Sequence, residues 1–291
     1  MTEIKGNFMA ATIDPRKVED IIRECAAECI MPRFRNLQSH EINTKSGPND
    51  LVTIADKESE LYLERELTKL YSGTVLIGEE GISAGLKTTA VLQDHNAVVW
   101  VADPVDGTWN FAHGDEHFAV MLACVAGGEV IHGWIYDVPA GRMMTASKGA
   151  GAFIDGVRLS VSNTEHIAHA NGFAGRKYFT NAMKPHIDAL KQQAASLTSL
   201  NCAGHEYLNL AAGKADFAVY SRIRPWDHLA GTLAVKEAGG TVMNWDGTPY
   251  KPSDEFGGII VASHPALYHE LHTSVGAKLA AAFKSEFRKG M

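Results

Sequence analysis

Lysine and arginine are missing from one long stretch of this chain. Between Thr88 and Gly141 there is neither, although the same window carries Asp94, Asp103, Asp106, Asp115, Glu116, Glu129 and Asp137. Over all 291 residues, 27 bases against 34 acids leave a net charge of −7. That balance excludes the basic surface excess that a nucleic-acid polymer requires of its partner. Cysteine is scarce as well. Cys25, Cys29, Cys124 and Cys202 form no CxxC pair and are too few for a disulfide framework, so buried free thiols in a reducing compartment are expected. No run approaches the ~20 apolar residues of a membrane helix. The opening "MTEIKGNFMAATIDPRKVED" has no apolar stretch long enough for a signal peptide, and a cytoplasmic protein that does not engage membranes is expected. Internal repeats, low-complexity tracts and long linkers are absent too.

What is present is ordinary globular material, 45% hydrophobic and 21% charged. A chain of this length buries roughly three quarters of its unfolded surface. Residues 16–34 predict an amphipathic helix with Val18, Ile21, Ile22, Cys25, Ala26 and Cys29 on its buried stripe. "NTKSGPND" (43–50) is turn chemistry. Thr53 and Asp56 fit a capping box that starts a helix, with Leu63, Leu67 and Leu70 as its buried face. "TVLIGEE" (74–80) and "AVVWVAD" (97–103) read as short buried strands. From 118 to 162, turns at Gly127-Gly128, Pro139-Ala140-Gly141 and Asp155-Gly156 space an antiparallel meander. Beyond residue 163 helix and strand alternate, with Pro225 opening one helix and Gly239-Gly240 closing it. An α+β half followed by an α/β half, closely packed, accounts for that order.

The acids suggest a metal. In "VADPVDGTWNF" Asp103 closes an apolar strand and Asp106 follows three residues later, with Pro104 and Gly107 shaping a rigid bend. Two carboxylates held that close resist ionising together unless a cation or a shared proton intervenes. Hard oxygen ligands suit Mg²⁺. An EF-hand loop is missing, and His113 and His117, although i, i+4, lack the HExxH of a zinc site and fit a polar surface pair. Glu79 and Glu80 end a buried strand, and Asp227 opens a helix after "RPW". Each also fits a plain role, as a turn acid or a helix cap.

Four stretches resemble the inositol monophosphatase family. "DPVDGTWNFAH" is similar to its first signature and "WDHLAGTLAVKEAGG" to its second, while "DLVTIAD" and "IGEE" match two further blocks in the same order, over about residues 45–262. The resemblance implies a layered αβαβα sandwich of two closely packed subdomains, taken here as 1–162 and 163–291. It also implies a homodimer and Mg²⁺, two or three ions, that lithium antagonises. Carried over by motif, Glu79, Asp103, Asp106, Asp227 and the carbonyl of Val105 would bind metal. Thr108, paired with Asp56, would orient and deprotonate the attacking water, with Glu79 assisting. The amides of Gly107 and Thr108 would hold a phosphate oxygen. No protein nucleophile is needed, so the lack of a Ser-His-Asp signature is no objection.

The departures bear on the substrate. Ala102 and Leu229 differ in size from the family's usual residues and read as packing adjustments. Tyr220 stands seven residues before Asp227, where inositol-binding members typically carry a glutamate. Arg222 and Arg224 follow it, and His205 and Glu206 replace small residues upstream. The arginines fit either recognition of a second anion or solvated pairing. The expected substrate is therefore a small phosphorylated polyol or sugar, bound among Asp106, Gly107, Thr108, Glu206, Tyr220, Arg222 and Asp227. Histidinol phosphate, fructose 1,6-bisphosphate and 3′(2′),5′-bisphosphate nucleotides are alternatives hydrolysed elsewhere in the superfamily. A non-catalytic interaction protein on the same scaffold is the alternative of another class.

Overall fold

The computed structural model describes residues 13–44 and 51–289; the turn expected over 43–50 lies, from residue 45 on, outside the described residues. Helix α1 (Pro15–Cys25) starts on an Asp14 cap that accepts from the Arg16 amide (3.0 Å). It runs on through a wide turn, Ala26–Ile30, and all six residues of the expected stripe are buried. Strands β1 (Ile42–Thr44) and β2 (Leu51–Thr53) form a small antiparallel pair, and β2 feeds α2 (Ile54–Leu70). Thr53 donates to Asp56 Oδ2 from both its amide (2.7 Å) and its hydroxyl (2.5 Å), the capping box expected there. Leu63 and Leu67 are buried, but Leu70 is 40% exposed. It sits in the last turn, where the sheet beneath gives out; Val75, which opens the neighbouring edge strand, is exposed too.

That strand is β3 (Val75–Gly78), followed by the short helix α3 (Glu79–Ser83), the long strand β4 (Val98–Asp106) and the single turn α4 (Thr108–Ala112). Strands β5 (Ala119–Ala126), β6 (Glu129–Asp137), β7 (Arg142–Ser147), β8 (Gly151–Ile154) and β9 (Val157–Arg158) complete the meander. They make one seven-stranded sheet in the order β3 to β9, with only β3 and β4 parallel. Then come β10 (Asn171–Phe173), α5 (Lys184–Gln193), β11 (Ser196–Thr198), α6 (Ala203–Ala211), β12 (Phe217–Tyr220), α7 (Pro225–Glu237), β13 (Thr241–Asn244), β14 (Ile259–Ala262), α8 (Pro265–Leu271) and α9 (Ala277–Lys289). Their strands form a five-stranded sheet ordered β11-β10-β12-β14-β13.

Three cores fix the layering. Trp100, Val120, Leu122 and Trp134 pack under α1 and α2. Their alternate neighbours Val101, Met121 and Ile135 face the other way, onto α6 and α7, which also cover Ala218, Ile259 and Val261 of the second sheet. Phe217, Val219 and Ile260 turn outward onto α5, α8 and α9. Because successive strand side chains point to opposite faces, a sheet buried on both sides reads as a continuous apolar run, as β5 does. The result is the expected α-β-α-β-α sandwich. Ala102 and Leu229 are fully enclosed in these cores, and all four cysteines are free and buried. Among the described residues no helix is long and apolar enough to cross a membrane.

Candidate active site

The site begins with a fault in β4. Asp103 pairs with Met121 and Asp106 with Ala119, so three steps along β4 match two along β5. The extra residue is a β-bulge, placed where Pro104 has no amide to give to a ladder. Met121 and Ala119 lie on the same face of β5. The bulge therefore turns Asp103 and Asp106 to one side, where a regular strand would point them apart. The strand expected to end at Asp103 runs on to Asp106 for this reason.

Glu79 arrives from the parallel neighbour. Gly78 pairs with Ala102, so the first residue of α3 emerges next to Asp103. The buried carboxylate of Glu60 on α2 steadies that helix start by accepting from the amides of Glu80 (2.8 Å) and Gly81 (2.9 Å). Asp227 comes from the first turn of α7, in the middle layer. Carboxylate oxygens of Glu79, Asp103 and Asp227 lie within 4.8 Å of one another. At that separation and an effective dielectric near 20, each ionised pair repels by about 3 kcal/mol. Burial first, then the Glu79 and Asp106 charges, push Asp103 and Asp227 well above the ordinary carboxylate range. Arg224 and Arg222 offset this only partly for Asp227. A divalent cation among the three oxygens removes the conflict, and the all-oxygen donor set fits a hard ion.

Asp106 is held to one side. Its Oδ2 accepts from the Gly204 amide (2.6 Å) and the Cys202 thiol (3.0 Å), which ties β4 to the start of α6. The Thr108 hydroxyl lies 3.1 Å from Asp56 Oδ1 and 3.1 Å from the carbonyl of Val105, so its single proton goes to one or the other. Gly107 precedes α4 at φ +89°, and a Cβ there would stand 2.7 Å from the His117 carbonyl. His117 itself is bonded to Asp115 (2.6 Å) and His113 stacks on Trp109, a polar surface pair as expected.

These groups face a cleft of about 200 Å³ whose other wall includes Lys177, Tyr178, Glu206, Tyr220 and Arg222. Glu206 spends Oε1 on the Leu200 amide (2.9 Å) and the Ser199 hydroxyl (3.1 Å). Burial lifts its carboxyl to about 7. The Tyr220 hydroxyl is enclosed beside Glu206 without a hydrogen bond of good geometry. His228, lowered to about 4 by burial, is neutral near pH 7. Its Nε2 donates to the Arg222 carbonyl (2.5 Å), which leaves Nδ1 to accept from Tyr207 (2.9 Å). His205 lies 3.6 Å from Asp137 and stays buried against β6. Sequence reasoning missed Glu60, Cys202, Lys177 and Tyr178. Of these only Cys202 stands out in the sequence, as one of four cysteines, and a buried free thiol is all that its type implies.

Acids converging from a bulged strand, its parallel neighbour and a helix start, in an α-β-α-β-α sandwich, define a hydrolase of phosphate monoesters. The chain belongs to the inositol monophosphatase family, whose model matches residues 16–280. The Bacillus subtilis inositol-1-monophosphatase is 31% identical over 252 residues, covering 85% of this chain and 90% of that protein. The Pseudomonas aeruginosa Nus factor SuhB is 32% identical over 267 residues, covering 89% and 94%. A solved IMPase from Thermotoga maritima superposes with a TM-score of 0.77 at 26% identity, over 93% of this chain and 98% of that one.

Proposed function

We propose that this chain is a Mg²⁺-dependent phosphomonoesterase that hydrolyses a small polyol or sugar phosphate with an activated water. The observation that carries the reading is the convergence of Glu79, Asp103 and Asp227 within 4.8 Å beside the Thr108–Asp56 pair. Glu79, Asp103 and Asp227, with Asp106 and the Val105 carbonyl, would hold two or three Mg²⁺, which supply the positive charge that lets the acids ionise together and polarise the phosphoryl group. Thr108 donates its proton to Asp56 and presents a lone pair to the attacking water. Asp56 is the terminal acceptor, and its other oxygen stays fixed by Thr53. The Gly107 and Thr108 amides at the start of α4 orient a phosphate oxygen. Asp106, Glu206, Tyr220, Arg222 and Asp227 form the wall that meets the alcohol portion.

On this reading residues 1–162 supply most metal ligands and 163–291 supply Asp227 and the selecting wall. Family membership supports a homodimer, lithium sensitivity and a cytoplasmic location. The test is phosphate release from inositol 1-phosphate, histidinol phosphate, fructose 1,6-bisphosphate and 3′-phosphoadenosine 5′-phosphate, with Mg²⁺ and with EDTA. Mg²⁺-dependent turnover of at least one ester is expected. Silence on all of them overturns the reading in favour of a non-catalytic scaffold.

A further inference from the structure

Helix α3 has no cap of its own. It is a single turn, Glu79–Ser83, too short to hold together by itself, and Gly78 ahead of it has no side chain to offer. Another helix supplies the cap. Glu60 on α2 accepts from the Glu80 amide with Oε2 (2.8 Å) and from the Gly81 amide with Oε1 (2.9 Å). These are the second and third amides of α3, the ones that a polar side chain at position 78 would ordinarily satisfy. The backbone is cleared for this approach. A Cβ on Gly78 would overlap the Glu60 carboxylate, and one on Gly81 would stand 2.8 Å from Oε1. Glycines therefore flank Glu79 and Glu80 on both sides, and the space their side chains leave is filled by a carboxylate from α2.

Starting a helix does not require this. A serine or aspartate at position 78 would cap α3 locally without enclosing a charge, whereas Glu60 is only 4% exposed. What the costlier arrangement adds is a point of reference. Asp56 and Glu60 stand one turn apart on α2, about 6 Å along its axis. Asp56 Oδ1 lies 3.1 Å from the Thr108 hydroxyl. Glu64, a further turn along, pairs with Lys87 (2.8 Å), and the amides of Leu86 (2.9 Å) and Lys87 (3.1 Å) donate to the Gly81 carbonyl. One face of α2 thus meets Thr108, the start of α3 and the chain that leaves α3. Glu79 is placed relative to Asp56 by α2 itself as well as by β3, whose Gly78 pairs with Ala102.

We infer that Glu60 is a positioning residue for Glu79, holding α3 so that the metal-binding carboxylate keeps a fixed offset from the Asp56–Thr108 pair. This rests on the metal reading above and adds a residue to which that reading gives no part. The test measures the Kd for Mg²⁺ by calorimetry on the full chain, on Glu60→Gln and on Gly78→Ala, at a temperature where circular dichroism shows each folded. Glutamine keeps the size of the side chain, but its single oxygen serves one amide while its NH₂ faces the other. Alanine at position 78 leaves Glu60 in place and pushes against it. Each substitution is expected to raise Kd by ~10- to 100-fold, the range found for groups that support metal ligands. Because both act on one contact, the double variant should lose far less than the product of the two. A merely structural role would lower stability in EDTA and leave the Kd of the folded protein unmoved; that outcome, or losses that multiply, overturns the inference. Should Gly78→Ala not fold, the Kd of Glu60→Gln decides by itself. If the parent chain binds no Mg²⁺, the metal reading fails, and hydrogen exchange at the Glu80 and Gly81 amides decides whether Glu60 fixes α3. Exchange ~10-fold faster or more in Glu60→Gln upholds it, as for the loss of a bond to a charged acceptor, and equal rates overturn it.

Discussion

At the scale of single residues, the site is built from charges that destabilise the chain until something binds. Asp103 is enclosed, accepts a bond from the Val105 amide (3.1 Å), and faces four other acids, Glu79, Asp106, Asp227 and Asp56. An asparagine keeps that acceptor and removes the repulsion. Asp103→Asn is therefore expected to raise the metal-free melting temperature by a few degrees, about 1 kcal/mol or more given the cost of crowded buried carboxylates. It should lower Mg²⁺-dependent turnover by on the order of 100-fold or more, at least the loss seen on altering groups that merely support ligands. Thermal melts in EDTA and phosphate release on one preparation check both halves; a variant less stable than the parent in EDTA contradicts the electrostatic account.

Glu206 gives a second residue-scale expectation. Burial lifts its carboxyl from 4.5 to about 7, so the folded chain keeps a proton that the unfolded chain releases at lower pH. Stability is then lost as pH rises from about 4.5 to 7 and levels off above that, by on the order of 3 kcal/mol. In Glu206→Gln the amide oxygen still accepts from Leu200 and Ser199, while the amide hydrogens face the Tyr220 oxygen. That variant should lose the decline. Urea denaturation in EDTA at pH 5 and pH 8 compares the two proteins, and parallel profiles would mean that Glu206 does not titrate in this range.

Among the elements, β4 and α4 would carry the proposed chemistry because their junction bends. Gly107 adopts φ +89° where the His117 carbonyl closes in, and that carbonyl is pinned by the Asn110 amide (2.8 Å). Gly107→Ala combines a disfavoured backbone with a clash and should cost about 1–3 kcal/mol. It should also depress kcat/KM, because the start of α4 shifts. Wild-type kinetics together with unchanged stability would show that the junction tolerates a side chain. This junction also shows what the sequence makes legible. The apolar run 97–103 announced β4, and Asp103, Pro104, Asp106 and Gly107 announced a bend. The bulge is a mismatch of register between two strands, however, and neither strand alone records it. The Thr53–Asp56 pair is local and legible in the spacing, whereas Glu60 acts across to α3, 20 residues away, and leaves no trace there. Cys202 reaches Asp106 over 96 residues, and the cations flanking Tyr178 come from two segments far apart in sequence. Leu70 is exposed for a related reason: helical periodicity gives a face but not where the opposing sheet ends.

For the molecule as a whole, the acidic triad joins two layers. Asp103 lies in β4 of the seven-stranded sheet and Glu79 opens α3 directly after β3 of that sheet, while Asp227 belongs to α7, which packs between the two sheets. A cation shared by the three fastens α7 to that sheet and is linked to folding by mass action. A concentration of 100 times Kd adds about 2.7 kcal/mol. The linkage has a sign in pH. Asp103 and Asp227 hold protons more tightly than ordinary carboxylates, and a metal must displace them, so affinity rises as pH rises until the acids are fully ionised. Saturating Mg²⁺ is therefore expected to raise the denaturation midpoint more at pH 8 than at pH 6, with protons released on binding. Calorimetry in two buffers of different ionisation enthalpy measures that release directly. Asp227→Asn should remove most of the Mg²⁺ shift while leaving the metal-free midpoint equal or higher. If the variant keeps the full shift, Asp227 is not holding the ion, and the layers are joined by apolar packing alone.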